Sequence, residues 1–344
     1  MKIGLLTLPF NNNYGGLLQC YALQTFLKEQ GHEVYVIKHN FYTKKNLKTK
    51  IKNFLKIILG KVSKNTSMEA FEKTFFQETH FIKSPQELCS LEKYNFDALI
   101  VGSDQVWRFE YTKNNFAEYF LNFAKEWHIK RFAFAASFGI DSWTINCKET
   151  QELKHLIKLF NKVSVREISG IKLCKEYLNS EAIQLLDPTF LTLEETYRSL
   201  YSHSNSNSKT LAIYLLDISQ EKLDAVNNIS HQMNLSPTFI GKNPNNGIYQ
   251  KVEDWLKGID TSSLVITDSF HGVVFSIIFN KPFIFLMNEN RGATRFSSLF
   301  QTFNFDKVYS CSMPFSTDYI NRIDRKLYKE VIKKNKESAI NFIV

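Results

Sequence analysis

Short apolar runs alternate with amphipathic stretches at the start of the chain. Lys2 to Leu8 is an apolar run typical of a buried strand, and apolar residues then recur at three- and four-residue spacing up to Gly31. A second apolar run follows at Val34 to Ile37. A strand, a helix and a strand in this order predict a parallel sheet with right-handed crossovers.

The same alternation continues through both halves of the chain. Further strands are predicted at Phe96 to Gly102, Arg131 to Ser137, Lys162 to Glu167, Thr210 to Asp217, Thr238 to Ile240 and Leu264 to Ser269. The polar segment Ser202 to Ser208, SHSNSNS, has the composition of a linker. The last residues have an amphipathic helical pattern. We therefore predict an α/β protein with two Rossmann-like domains, residues 1–200 and 209–316, and a C-terminal helical segment, residues 317–344.

Composition supports this architecture and narrows the chemistry. The chain of 344 residues is longer than one hydrophobic core usually organises, and 44% hydrophobic with 22% charged residues is typical of a globular protein. Its five cysteines are scattered, without a CxxC pair or a zinc-binding spacing, and no apolar run has the length of a signal-peptide core or a membrane span. Asp-x-Asp, clustered-histidine and GxSxG patterns are missing as well. We expect a cytoplasmic protein that uses no metal and no cofactor.

The formal net charge of +9 predicts an anionic partner. Nucleic acid, an acidic membrane surface and a phosphorylated substrate all satisfy this charge, but no recognisable nucleic-acid-binding module is present. Lys44 to Lys64 carries eight lysines in an amphipathic helical pattern. This segment either packs on its own domain with a solvated lysine face or makes a peripheral membrane contact.

Two polar loops follow predicted strands in the first half of the chain. Asn11 to Gly16, NNNYGG, offers glycines for close backbone approach and a helix start for an anion, or is simply a tight turn that needs glycine. Ser103, Asp104 and Gln105 follow Gly102 at a strand end, where α/β enzymes place substrate contacts. Asp104 is alternatively the N-cap of a helix.

Charged side chains follow later strands. Arg166 ends an apolar strand and suits a two-pronged grip on carboxylate or phosphate, or an ion pair with Glu167 or another carboxylate. Asp187 either orients a ligand or caps a turn. Arg291 and Arg295 are predicted in a glycine-containing loop, where they add positive charge to the same site or lie on the surface.

The stretch from Val265 to Pro282, VITDSFHGVVFSIIFNKP, predicts a strand followed by a helix. Asp268 and Ser269 are both good cap residues, and Pro282 is expected to end the helix. His271 then falls in the first turn, where free N–H groups and the helix dipole favour an anion. Its imidazole can donate to phosphate or carry a proton near neutral pH, although a lone histidine is more often structural.

Six motifs taken together resemble the polysaccharide pyruvyl transferase family. They occur in the family's order, from about residue 3 to about residue 304, and GSDQVW together with TDSFHG is the most specific pair. The motifs are NNNYGGLLQCYALQTFL, FDALIVGSDQVW, KRFAFAASFG, VSVREISG, LLDPTFL and VITDSFHGVVFSIIFNKPF.

The resemblance implies a fold similar to the two-domain GT-B glycosyltransferases, with the Rossmann-like domains facing a cleft. It also implies transfer of pyruvyl from phosphoenolpyruvate to a sugar of a cell-surface polysaccharide, with ketal formation and release of phosphate. The expected acceptor is a polyprenyl-linked oligosaccharide at the inner membrane face. Phosphoenolpyruvate is a compact trianion, which an arginine and a helix N-terminus can neutralise without metal.

Carried over by motif, Arg166 and His271 match positions expected to hold phosphoenolpyruvate. Ser269 and Gly272 line the same turn, and Arg295 joins this donor-binding set. The residues implied to face the acceptor or complete the cleft are Asn13, Tyr14, Gly15, Ser103, Gln105 and Ser137.

The hypothesis for catalysis assigns three tasks. His271 acts as general acid or as a phosphate-binding imidazolium, and Arg166 fixes the donor. Asp104 or Asp268 deprotonates the acceptor. Two other functions stay open: a GT-B-type glycosyltransferase that uses a nucleotide sugar, and a non-catalytic sugar- or phosphate-binding protein.

Overall fold

The computed structural model describes residues 1–40, 66–202, 209–244, 246–287 and 293–343. The predicted lysine-rich segment 44–64, residues 203–208 of the predicted linker, and Arg291 lie outside the described residues.

The first sheet has six parallel strands in the order β2-β1-β3-β4-β5-β6. Its inner strands are continuous apolar runs because helices cover both faces, as is usual for parallel sheets. Strand order reverses between β1 and β3, and ligands bind at such a switch point in open α/β sheets. The strands are β1 (Lys2–Leu6), β2 (Glu33–Val36), β3 (Ala98–Gly102), β4 (Lys130–Ala136), β5 (Lys162–Val165) and β6 (Ile183–Gln184).

Helices of the first half connect these strands. Helix α1 buries thirteen of its sixteen residues, so apolar side chains surround it on nearly all sides. The helices are α1 (Tyr14–Glu29), α2 (Thr66–Phe75), α3 (Phe109–Thr112), α4 (Cys147–Ile157), α5 (Ile168–Leu178) and α6 (Glu194–Arg198). Short 3₁₀ segments lie at Pro85–Tyr94, Lys113–Phe120, Asn122–Ala124 and Pro188–Leu191.

The second sheet has four parallel strands in the order β10-β9-β7-β8. Its strands are β7 (Thr210–Tyr214), β8 (Ser236–Phe239), β9 (Leu264–Thr267) and β10 (Phe283–Phe285). Its helices are α7 (Gln220–Met233), α8 (Val252–Asp260), α9 (Phe270–Ile278) and α10 (Ala293–Phe303). A 3₁₀ turn, Thr317–Tyr319, precedes the last helix, α11 (Arg325–Ile343).

Helix α9 ends earlier than predicted. Its last residue is Ile278, and Asn280 takes a left-handed conformation with φ of 56°. Asparagine tolerates that conformation better than most residues, so it turns the chain before Pro282 is reached.

The last helix returns to the first sheet. Leu186 N–H donates to Asn335 Oδ1 at 2.9 Å, and Phe342 packs on the ring of Phe134 at 5.7 Å between centroids. The C-terminus of the chain therefore helps to hold the two halves together.

Side chains also join the two halves directly. Arg198 donates two hydrogen bonds to Asp260, each 3.0 Å long, and Tyr201 donates a third at 2.7 Å. Tyr14, at the start of α1, stacks on Trp255 of α8 at 5.3 Å. These contacts fix helix α8 of the second half against the first half of the chain.

The two parallel sheets and the C-terminal helix confirm the predicted fold class. The domain limits 1–200, 209–316 and 317–344 stay a prediction. None of the described helices combines the length and apolar character needed to cross a membrane.

Candidate functional site

Polar loops from both sheets meet where the two halves of the chain join. Arg166 follows β5 and Asp187 follows β6 in the first sheet, whereas His271 lies in the turn after β9 of the second. All three side chains are nearly fully buried. We call Arg166, Asp187, Phe270, His271 and Arg295 the junction cluster.

Asp187 is the centre of the junction cluster. Arg166 Nη1 donates to its Oδ2 at 2.6 Å, and His271 Nε2 lies 3.3 Å from the same oxygen. Its other oxygen accepts from the N–H and hydroxyl of Thr189. Burial alone would raise the pKa of Asp187, but the charges of His271 and Arg166 outweigh burial and hold that pKa well below its usual range. Asp187 therefore caps a turn and also orients the two predicted donor-binding residues.

Arg166 has a second carboxylate partner. Its Nη2 lies 3.5 Å from Asp104 Oδ1, while Asn13 Nδ2 donates to Asp104 Oδ2 at 3.3 Å. Burial alone would lower the pKa of Arg166, and the carboxylates of Asp187 and Asp104 raise it instead. Asp104 has φ of 62° and caps no helix, so the alternative reading of this residue as an N-cap is wrong. Arg166 does pair with carboxylates, but Glu167 is not a hydrogen-bonded partner.

Two guanidinium groups lie close to the same aromatic ring. Cζ of Arg166 lies 4.6 Å and Cζ of Arg295 lies 5.2 Å from the centre of the Phe270 ring, within the range of cation–π contacts. Burial, and next the charge of Arg166, lowers the pKa of Arg295 to about 10. Arg295 lies in helix α10 rather than in the predicted loop. Buried guanidinium groups can bind an anion, and here Asp187 and Asp104 already balance part of the charge of Arg166.

His271 lies in the first turn of α9, as predicted, and Ser269 is the N-cap. Gly272 N–H donates to Ser269 Oγ at 3.4 Å. A Cβ on Gly15 would lie 1.9 Å from His271 Nδ1, and a Cβ on Gly272 would lie 2.2 Å from Thr267 Oγ1. Both positions therefore need glycine. The imidazole of His271 packs directly on Gly15 at the start of α1, and the side chain of Thr267 packs directly on Gly272.

Asp268 is placed differently from the other predicted catalytic residues. Its carboxylate accepts from Leu216 N–H at 2.7 Å, from Asp217 N–H at 3.2 Å and from Lys222 Nζ at 2.7 Å. These bonds join the ends of β7 and β9 to helix α7. The geometry favours a structural role for Asp268, and its part in deprotonating the acceptor stays an untested prediction.

Several of the predicted cleft residues already use their side chains in hydrogen bonds within the chain, whereas, among the described residues, Ser137 does not. Tyr14 donates its hydroxyl to Gln250 O at 2.7 Å and Ser103 donates to Ala135 O at 3.0 Å, so both hydroxyls bond to backbone carbonyls. Gln105 Oε1 accepts from Arg108 Nη1 at 2.9 Å. The Ser137 hydroxyl is buried and has no hydrogen-bond partner in the described ranges, and Ser137 N–H donates to Asp104 O.

Two site residues were not singled out as functional from the sequence. Phe270 reads as an ordinary apolar residue inside SFHG, and only the structure shows two arginines in contact with its ring. Glu167 is buried, and its Oε1 accepts from the N–H groups of Phe138 and Gly139 at 2.7 and 2.9 Å. The adjacent charges in VSVRE are the only sequence signal for Glu167.

Metal ligands are a separate matter. Within the described ranges, no three or more histidine, cysteine, aspartate or glutamate side chains are grouped so that they could hold a metal ion. Cationic side chains and N–H groups are what the junction cluster offers to a ligand.

Solved structures with similar folds are sugar-nucleotide enzymes. UDP-GlcNAc 2-epimerase from Methanocaldococcus jannaschii is similar with a TM-score of 0.54 and 11% identity, over 97% of this chain and 92% of that chain. The enzyme of the same name from Neisseria meningitidis, bound to UDP-GlcNAc, gives a TM-score of 0.52 and 10% identity, over 99% of this chain and 93% of that chain. At these identities the likeness shows the fold alone, which is of the GT-B type.

The comparison of sequences is more specific. No curated protein matches this sequence significantly. A family model described as "Polysaccharide pyruvyl transferase" matches residues 13–290, which include the SDQ turn, Arg166 and the SFHG turn. This match covers most of the chain, and the chain therefore belongs to the polysaccharide pyruvyl transferase family.

Proposed function

We propose that the chain moves the pyruvyl group of phosphoenolpyruvate to two hydroxyls of a sugar, forming a ketal and releasing phosphate. The observation that carries this proposal is the pair of buried guanidinium groups on Phe270, beside His271 at a helix N-terminus. Such a site suits a small ligand with several negative charges. Family membership makes phosphoenolpyruvate the natural candidate.

In the proposed reaction, Arg166 and Arg295 hold the carboxylate and phosphate of the donor. His271, whose Nε2 lies 3.3 Å from Asp187 Oδ2, donates a proton to the methylene carbon. The neighbouring carbon becomes electrophilic, and one sugar hydroxyl adds to it and loses its proton. The second hydroxyl then forms the other C–O bond as the bond to phosphate breaks, and its proton leaves with the phosphate.

Asp104 is the better placed of the two carboxylates predicted to accept the proton of the sugar hydroxyl. It contacts Arg166 inside the site, and its contacts with Arg166 and Asn13 are long, at 3.5 and 3.3 Å. Asp268 is instead held by Lys222 and two backbone N–H groups. We therefore assign the base to Asp104 and a structural role to Asp268.

The acceptor in this proposal is a lipid-linked oligosaccharide of a cell-surface polysaccharide. The chain would work in the cytoplasm, at the inner membrane face, with peripheral contact to the bilayer. The net charge of +9 supports attraction to an anionic membrane surface. Flotation with anionic vesicles tests this part of the proposal independently of turnover.

The experiment that tests the reaction is release of inorganic phosphate from phosphoenolpyruvate, with and without galactose- and mannose-type acceptors. His271→Ala should lower acceptor-dependent release by about 10²-fold or more, because general acids contribute at least that much. His155→Ala, at an exposed position of helix α4, is the matched control and should keep the parent rate.

Two results would contradict the proposal. One is turnover of His271→Ala within a few-fold of the parent, which removes the general acid. The other is stabilisation of the chain by UDP-sugars and not by phosphoenolpyruvate, which would favour a nucleotide-sugar glycosyltransferase.

A further inference from the structure

A cavity of about 450 Å³ lies in the first domain, apart from the junction cluster. It opens at the carboxyl ends of β1 and β2, against helix α2, and a volume of this order suits a small ligand. We call it the N-domain cavity. The lining residues that carry its chemistry are Phe10, Asn12, Lys38, Glu72, Glu78 and Phe81.

The lining combines aromatic, amide and carboxylate groups. Phe81 is 45% exposed, and Phe10 is held by a ring contact with Phe76 at 5.4 Å between centroids. Asn11 and Asn12 are exposed on the loop after β1. Amides and carboxylates hydrogen-bond sugar hydroxyls, and an exposed aromatic ring packs on the apolar face of a sugar.

The charge of the N-domain cavity argues against an anionic ligand. Three carboxyl groups face two ammonium groups, Lys38 is already paired with Glu78, and burial raises the pKa of Glu72 to about 7, so the cavity is close to neutral. Burial lowers the pKa of His39 to about 4, so this imidazole adds no charge near neutral pH. The five charged residues of the lining are Lys38, Glu69, Glu72, Lys73 and Glu78.

Hydrogen bonds connect the wall of the cavity to the turn that contains Asp104. Thr7 lines the cavity, and its Oγ1 accepts from Gln19 Nε2 at 3.0 Å. Gln19 Oε1 in turn accepts from Ser103 N–H at 2.9 Å. Asn12 also lines the cavity, one residue before Asn13, which donates to Asp104. A ligand in the cavity is therefore bound by the same loop that borders the junction cluster.

We infer that the N-domain cavity is the acceptor site and that it takes an uncharged sugar rather than a uronic acid or a sugar phosphate. This inference rests on the proposed function, because the acceptor is defined by that reaction. In this arrangement the acceptor sugar extends from the N-domain cavity along the Asn11–Asn13 loop toward Asp104, where its hydroxyls meet the donor held at the junction cluster.

Two variants test the inference. Phe81→Ala removes the exposed ring and should raise the KM for a methyl galactoside or methyl mannoside acceptor about threefold to tenfold. Glu72→Ala removes a carboxyl group that hydrogen-bonds sugar hydroxyls and should raise that KM about tenfold. The KM for phosphoenolpyruvate should change less than twofold in both variants, because the arginines of the junction cluster are untouched.

Met313→Ala is the matched control, since Met313 is a large exposed apolar residue of the second half of the chain. Binding is measured separately by saturation-transfer NMR with methyl galactoside, methyl mannoside and methyl glucuronide. The neutral glycosides should give signals that weaken in Phe81→Ala and stay at the parent level in Met313→Ala. The glucuronide should give a much weaker signal.

The outcomes separate this inference from the proposed function. Acceptor-dependent phosphate release with unchanged sugar KM in both variants would keep the function and overturn the acceptor site. Sugar binding that depends on Phe81, without any phosphate release, would contradict the function and support a sugar site. Equal binding of the glucuronide, or no binding of any glycoside to the parent, would overturn the inference itself.

Discussion

The junction cluster and the N-domain cavity differ in how deeply their charged groups are buried. In the junction cluster, Arg166 and Arg295 are both buried against the ring of Phe270, and Asp187 orients Arg166 together with His271. In the N-domain cavity, three carboxyl groups face two ammonium groups, the pKa of Glu72 is raised to about 7, and the lining is partly open. The first place suits a small anion, whereas the second suits a neutral molecule rich in hydroxyls.

This difference suggests how one chain can keep two substrates apart. An anionic donor gains little binding energy in the N-domain cavity, where positive charge is not in excess. A neutral sugar gains little binding energy from the buried guanidinium groups of the junction cluster. Selectivity then comes from the sign of the local charge as well as from shape. The loop from Asn11 to Asn13 borders both places, so changes there should affect donor and acceptor together.

The largest expected effect comes from removing the buried cation of the junction cluster. Arg166→Met leaves the carboxylates of Asp187 and Asp104 buried without their main partner, and breaking a buried pair costs about 3–5 kcal/mol. We expect the free energy of unfolding in urea to fall by that order, and stabilisation by phosphoenolpyruvate to disappear. Arg322→Met, at an exposed position, is the control and should change neither quantity.

Unchanged stability in Arg166→Met would mean that the ion pairs with Asp187 and Asp104 contribute little. Retained stabilisation by phosphoenolpyruvate would place the donor somewhere other than the junction cluster. The first result would contradict a stabilising role for these ion pairs, and the second would contradict donor binding at the junction cluster.

A smaller but more local effect is expected at the start of helix α1. Gly15→Ala puts a Cβ 1.9 Å from His271 Nδ1, so the imidazole must move away from Asp187. Phosphate release should fall toward the level of His271→Ala, about 10²-fold. Gly16→Ala is the matched variant, because its Cβ meets the flexible end of Asn13 at 2.9 Å and should cost less activity. Equal rates for the two variants would show that the position of His271 does not depend on Gly15.

Hydrophobic periodicity predicted most of the fold because each element is a local pattern. The parallel strands β3 and β4 and the helix α9 lie within one or two residues of the apolar runs at one end or both. Ends were harder to predict: Asn280 stops α9 before Pro282, and Arg295 belongs to a helix rather than a loop. These outcomes depend on backbone conformation and packing, which single residues do not determine.

The site was predicted less completely than the fold. The motifs pointed to Arg166 and His271, which both contact Asp187 in the structure. They could not separate the roles of Asp187 and Asp268. Both aspartates follow a strand, and only the strand order puts Asp187 beside Arg166 and Asp268 beside Lys222. For the N-domain cavity the sequence pointed only to the Asn11–Gly16 loop, since the rest of the lining comes from other segments of the chain.

The smallest expected effect concerns Glu72 of the N-domain cavity and is measured as a change of stability with pH. Burial, and next the charge of Glu78, raises the pKa of Glu72 to about 7, while Lys38 and Lys73 oppose this and Glu69 adds to it. Because the pKa of Glu72 is higher in the folded state than in the unfolded state, the native state binds more protons than the unfolded state between those two pKa values. Stability therefore falls as pH rises from about 4.5 to about 7, and the full penalty is present above that range.

Glu72→Gln removes this penalty because the amide stays neutral. We expect the variant to be more stable than the parent at pH 8 by about 1–2 kcal/mol, a figure reduced for partial solvent screening, and equal to it near pH 4.5. Urea unfolding at several pH values measures the difference, and Glu176→Gln, at an exposed ion pair, should show no such trend. A stability difference that is the same at pH 5 and pH 8 would mean that Glu72 is ionised like a surface carboxylate. The N-domain cavity would then carry a full excess negative charge and would bind cationic sugars better than neutral ones.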